Sequence, residues 1–168
     1  MGIIDIDGQN FGGNANKKNA YLLSKQFKIQ KLCYGLDNDD CNYKIYSSFG
    51  SVYSASIFNN GPQGEPTFIT NDNMLITIHN SSIAVDINGT KGPNKFGRDV
   101  FFFHGPRHNN IENHFGIIPL GSKESTKAYD YGLYWKENNY CSTESVNNNS
   151  RQATFCAGRV LEEDAINY

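Results

Sequence analysis

No stretch of this chain approaches the roughly 20 consecutive apolar residues that a bilayer-crossing helix needs, so the residues given hold no such span. Its start, Met1-Gly2-Ile3-Ile4-Asp5, lacks both the basic residues and the long apolar run of a secretory signal. Charge is scarce as well. Only 19% of residues are charged, and 15 basic against 17 acidic side chains leave a net charge of −2. That balance offers nucleic acid or an anionic membrane nothing to hold. No C-x-x-C occurs, which removes zinc-ribbon and thioredoxin-like chemistry. G-x-S-x-G, H-E-x-x-H, P-loop and dinucleotide fingerprints are equally missing. Nothing in this inventory points to an enzyme.

What is present is aromatic and turn-forming. The apolar fraction is 38%, low for a globular chain, yet aromatics reach 13%, with 11 Phe and 10 Tyr. A core built from few, large side chains with much polar loop between them is the expectation. Asparagine clusters near residues 71–73 and 147–149 favour turns over long helices. A length of 168 residues fits one domain, residues 1–168, with enough chain to bury a core.

The chain is organised around residues 83–103. Ile83, Val85 and Ile87 alternate with polar positions, as in a half-buried strand. Residues 100–103 are continuously apolar, as in a strand covered on both faces. Between them, residues 88–98 carry Gly89, Gly92, Pro93 and Gly97, which supply positive φ or fix φ and so shape the connector. Asp86, Asn88, Asn94 and Asp99 bring short oxygen-bearing side chains suited to bonding that loop's backbone onto itself. The same oxygens invite a second reading, a Ca²⁺ held by Asp86, Asn88 and Asp99, because hard cations take several oxygen ligands from a shaped loop. The spacing does not fit an EF-hand: position twelve from Asp86 is Gly97, where a bidentate Glu would stand. Hydrogen-bonded bracing without a cofactor is therefore the expectation.

Four cysteines allow three connectivities. Locality favours Cys33 with Cys41 and Cys141 with Cys156, each closing a small loop and each worth about 2–4 kcal/mol. An even, locally paired set implies an oxidising compartment, hence export and a leader that precedes Met1.

In chain order, residues 1–15 read as a flexible, glycine-rich lead-in. Ala20, Leu23 and Phe27 recur at helical spacing within 16–34, which predicts one long amphipathic helix ending at Cys33. Residues 43–130 read as strand and turn: imperfect alternation over 51–57, then Met74, Ile76 and Ile78 alternating into an Asn80-Ser81 turn, and so a hairpin into 82–87. Phe115–Pro119 adds a short strand. Residues 131–168 hold Trp135 and the second cysteine pair, with a helical turn after Cys156. The fold class predicted is α+β: one N-terminal helix laid on an antiparallel sheet of about four strands, closed by a disulfide-bonded C-terminal region.

Two rival sites are weaker. DNDDCN at 37–42 reads as an exposed acidic turn sooner than a cation site. His79, His104, His108 and His114 surround a Gly105-Pro106 turn and read as surface histidines. Tyr43, Tyr46, Tyr53, Trp135 and Tyr140 would serve a secreted adhesin or carbohydrate-binding module if exposed, although aromatics this numerous belong mainly to a core.

The string Asp86-Ile87-Asn88-Gly89-Thr90-Lys91-Gly92-Pro93-Asn94-Lys95-Phe96-Gly97-Arg98-Asp99-Val100-Phe101 resembles the D-x-N-G-x-K-G-P-N-x-x-G-x-D-x-F signature of type IV pilin-like proteins and type II secretion pseudopilins. Phe115-Gly116-Ile117-Ile118-Pro119-Leu120-Gly121 is similar to the same pattern. So is the ending from Cys156-Ala157-Gly158-Arg159-Val160-Leu161-Glu162-Glu163 to Asn167-Tyr168. Residues 20–33 resemble the distal part of a pilin helix. The resemblance implies a pilin-like roll and a bacterial filament subunit, methylated after leader cleavage and anchored in the inner membrane before assembly by an apolar segment not among these residues. Its partners would be further copies and other pilin-like subunits, its place the cell surface or periplasm, and it would need no catalytic residues; some pseudopilins hold a Ca²⁺, which the second reading of Asp86, Asn88 and Asp99 would match.

Overall fold

The computed structural model describes residues 15–33, 66–79, 82–89, 91–92, 94–104, 117–128, 134–137, 140–148 and 153–166. The N-terminal helix α1 runs over Ala15–Ser24. It does not continue to residue 34. The Ser24 hydroxyl donates to the Tyr21 carbonyl at 2.7 Å. Gln26 and Phe27 then bond back three residues, to the Leu23 and Ser24 carbonyls at 2.9 and 3.1 Å. Such closures tighten and end an α-helix. Strand β1 follows at Ile29–Cys33, so Cys33 ends a strand and not a helix.

Beyond it lie β2 (Thr67–Thr70), β3 (Leu75–His79), β4 (Ser82–Asp86), β5 (Val100–His104) and β6 (Ile118–Pro119). They form one six-stranded sheet in sequential order, antiparallel throughout. Among the described residues, three short helices follow β6: α2 (Lys123–Ala128), α3 (Thr143–Asn148) and α4 (Cys156–Glu163).

This corrects the roll predicted from sequence. A single long helix on about four strands is replaced by a six-stranded sheet with short helices. Ile29 and Leu32 are apolar on either reading, and the backbone of β2 decides between them: Ile29 pairs with Thr70 and Cys33 with Thr67, with a register shift between Ile29 and Lys31. A ladder partner outweighs the modest helix propensity of the Lys and Gln between them. The predicted strand over 51–57 and the staple partner Cys41 lie outside the described residues. The hairpin read from residues 74–87 is seen as β3 and β4, with His79 opposite Ser82.

Both faces of the sheet are buried. On one, Phe68, Ile76, Ile78 and Ile83 meet Ala20 of α1, with Leu23, Ile29 and Leu32 at the margin. On the other, Ala84, Val100 and Phe102 meet Phe96, Val146, Ala153, Ala157 and the Cys141–Cys156 pair. Alternate residues of β4 thus serve different cores, Ile83 and Val85 the first and Ala84 the second, while Phe103 of β5 packs against both, as expected of the unbrokenly apolar stretch 100–103. Within β2 and β3 the buried Thr67 and Thr77 hydroxyls face each other at 2.9 Å. Thr67→Val is expected to cost about 1–2 kcal/mol in urea unfolding, because it strips the buried Thr77 hydroxyl of this partner. Among the described residues, no helix is long and apolar enough to cross a membrane.

Candidate functional site

The loop between β4 and β5 is closed at its base, where the Ile87 N–H donates to the Asp99 carbonyl at 2.9 Å. Inside it the Lys95 carbonyl accepts N–H groups from Arg98, Asp99 and Val100 at 3.1 to 3.2 Å. Asn94 and Gly97 take positive φ, 49° and 78°. Asparagine and glycine are the residues that tolerate this region, which explains their placement. Asp99, 4% exposed, is the hub. Its Oδ2 accepts from the Asn94 N–H at 2.9 Å and from Asn88 Nδ2 at 3.1 Å, and its Oδ1 accepts from the Lys95 N–H.

Asp86 is buried more completely, with no exposed surface. Its Oδ1 accepts from the Asn88 N–H at 3.1 Å. Its Oδ2 has no hydrogen-bond partner among the described residues, and neither has the buried Oδ1 of Asn88. Burial pushes the Asp86 carboxyl up from 3.8 to about 7, with the like charge of Asp99 adding to the rise and the Asn88 and Gly89 N–H groups opposing it. The two acids of this loop are therefore unequal. One is surrounded by donors and the other is short of them.

Sequence reasoning missed what holds the loop from outside. Asn73, in the β2–β3 turn at φ 68°, donates from Nδ2 to the Asn88 carbonyl at 3.3 Å, and its own carbonyl lies where a Gly89 Cβ would project. The Asn-rich character of 71–73 signals a turn, but nothing in the sequence names its partner. At the far side, a Cβ on Gly97 would stand 2.8 Å from the Cys156 Sγ and 3.1 Å from Val146 Cγ2. Gly92 is exposed with nothing near it, and the structure gives no reason for glycine there. Pro93 lies outside the described residues.

Cys141 and Cys156 are bonded, Cα to Cα 4.9 Å across 15 residues of sequence. Cys33 is also disulfide-bonded. Arg159 locks the clasp in place: a guanidinium N–H donates to the Cys141 carbonyl at 2.6 Å and Nε donates to Glu163 at 3.0 Å. Replacing Cys141 and Cys156 together by Ser is expected to cost about 3 kcal/mol, read as a fall in the urea midpoint. An unchanged midpoint would show that the surrounding packing carries the region without the bond.

Trp135 is half-buried. Its indole N–H donates to Glu162 at 2.8 Å, and the Lys136 ammonium and Arg159 guanidinium each sit 5.0 Å from its ring centre. The Lys136 ammonium, 2.8 Å away, and then the indole N–H hold the Glu162 carboxyl down at about 2. Tyr140 stacks on Phe155 with ring centres 5.1 Å apart. These aromatics are engaged by their own chain. Tyr43, Tyr46 and Tyr53, like His108 and His114, lie outside the described residues, and His104 sits half-buried at the end of β5. Comparison with protein-family models, with curated proteins and with solved structures gave no match.

Proposed function

We propose that this chain is the headgroup of a structural subunit of an extracellular or periplasmic filament, of the type IV pilus or type II secretion kind, acting by polymerisation and surface display. One observation carries the reading. The two stretches that resemble pilin-like proteins, 86–101 and 156–163, lie 55 residues apart in sequence (156 − 101) yet pack together, Gly97 against the Cys156 sulfur. A shared signature whose halves form one physical unit is better support than either half alone. The side chains of that unit are spent largely on backbone: Asp99 on the Asn94 and Lys95 N–H groups, Arg159 on the Cys141 carbonyl. Such bracing suits a rigid knob displayed among copies of itself, and a disulfide suits a compartment outside the cytosol. In this reading an apolar segment of the full-length protein holds the subunit in the inner membrane before assembly, and neighbouring subunits are its partners.

The experiment is to shear and pellet surface appendages from the producing cells, and to probe them with an antibody against this chain. Labelled filaments that disappear with the gene are expected. Recovery of the chain only as a monodisperse secreted protein, with no labelled filament, would overturn the proposal.

A further inference from the structure

We propose that one end of the sheet, formed by residues 25–28, 71–74 and 87–99, docks on an anionic lipid bilayer: Phe27 and Ile87 enter the interface while Lys25, Lys28, Lys91 and Arg98 meet the lipid phosphates. Topology gathers these residues. Ile29 pairs with Thr70, Ile69 with Leu75, Leu75 with Asp86 and Asp86 with Val100. In an antiparallel sheet of sequential strands, the entry to β1, the β2–β3 turn and the β4–β5 loop therefore emerge at the same end. Two hydrogen bonds join them side by side: the Asn71 N–H donates to the Lys28 carbonyl at 2.8 Å, and Asn73 Nδ2 donates to the Asn88 carbonyl at 3.3 Å.

A net charge of −2 conceals this layout. The three segments carry five cations, those four and the half-buried Lys95, against two acids, Asp72 and Asp99. Asp99 is buried and its oxygens are taken by the Asn94 and Lys95 N–H groups, so Asp72 is the acid they expose. Lys25, Lys28, Lys91 and Arg98 are all exposed. Overall charge argues against an anionic membrane; the local excess at this end argues for one.

Lipid is favoured over other polyanions by what stands among the cations. Phe27 is 39% exposed and Ile87 44%. The Phe27 ring leans on Phe68, centres 5.6 Å apart, which fixes the part that faces solvent. A nucleic-acid backbone takes up cations and has no use for an exposed isoleucine. A bilayer interface takes both: apolar side chains settle at the boundary of headgroups and acyl chains, and Lys and Arg stay level with the phosphates. Each cation held at an anionic surface raises partitioning about fivefold. Four of them, less Asp72, give a reversible association that salt weakens. This assignment stands apart from the filament reading, because the surface belongs to the folded domain; either can fail without the other.

Co-sedimentation of the chain, residues 1–168, with vesicles of phosphatidylcholine alone and of phosphatidylcholine with phosphatidylglycerol tests it. Binding is expected to the second kind only, and it should disappear between about 0.1 and about 1 M NaCl, as the screening length falls from about 10 to about 3 Å. Lys25→Ala with Lys28→Ala should weaken binding about twentyfold, and Lys91→Ala with Arg98→Ala by as much. Ile87→Ser should weaken it severalfold without changing the salt dependence. Asp72→Asn should tighten it about fivefold, a gain that damage to the fold cannot produce. Sedimentation with neither vesicle, equal sedimentation with both, or binding untouched by the paired alanine replacements overturns the proposal. So does salt-sensitive binding to duplex DNA that outcompetes the anionic vesicles, which would make this a nucleic-acid surface.

Discussion

Gly158→Ala is expected to destabilise the domain by about 4 kcal/mol, although alanine in a helix ordinarily gains about 1 kcal/mol over glycine. The sign is decided by what α4 lies against. The Gly158 N–H donates to the Leu120 carbonyl at 2.8 Å, which brings the helix down onto the turn after β6. A Cβ at 158 would run into the Gly121 carbonyl carbon and the Ser122 nitrogen. Those neighbours are main chain and have no rotamer to yield. Gly121 is fixed in turn by φ 88° and by its carbonyl, which accepts the Trp135 N–H at 3.0 Å. Overpacking usually costs about 1–3 kcal/mol when side chains can move. Here α4 itself must lift, taking Ala157 and Cys156 out of the core they share with Phe102. Urea midpoints measure the loss. Leu161→Ala on the same helix, 58% exposed, should stay within about 0.5 kcal/mol and serves as the control. A Gly158→Ala midpoint equal to or above the parent's would mean that α4 stands clear of this turn.

The second large effect is on pH dependence, measured in chelator so that no cation intervenes. Asp86 keeps its proton to about 7 in the folded chain, against 3.8 ordinarily. Between these values the folded state holds a proton that the unfolded state has lost, so stability falls as pH rises. The contribution is fully present below pH 3.8, and it is gone once pH passes about 7. At about 1.4 kcal/mol per tenfold change in proton affinity, the loss sums to about 4 kcal/mol. Asp86→Asn is neutral at every pH and should flatten the profile across this interval. At pH 8 it should exceed the parent in stability, a reversal of the usual result for a buried polar substitution. Urea midpoints from pH 4 to 8 test both statements. A parent profile that rises with pH, or an Asn variant with the parent's slope, would contradict a proton held at this position.

Much of the sheet was legible because its signals are local. The alternation of Ile76 and Ile78, and the short turn before Ser82, are properties of adjacent residues, and period-2 patterning against a core reads directly as a strand. The glycines and short polar residues of 86–99 likewise announced a shaped loop, since φ > 0 at Asn94 and Gly97 is a property of the residue itself. Residues 29–33 were illegible for the opposite reason. Ile29 and Leu32 fit a helix face as well as a strand, and only the arrival of Thr67–Thr70 alongside settles the matter.

The sequence by itself determined where the chain must turn and which residues can adopt left-handed backbone, because each of these rests on the stereochemistry of single residues. Tertiary structure alone decided that the sheet has six strands and is buried on both faces, that Gly97 meets Cys156, and that Asp99 is satisfied while Asp86 is left short of donors. Those depend on which distant segments share a volume. Burial and hydrogen-bond satisfaction are sums over neighbours in space, and such sums are not written in any one stretch of chain.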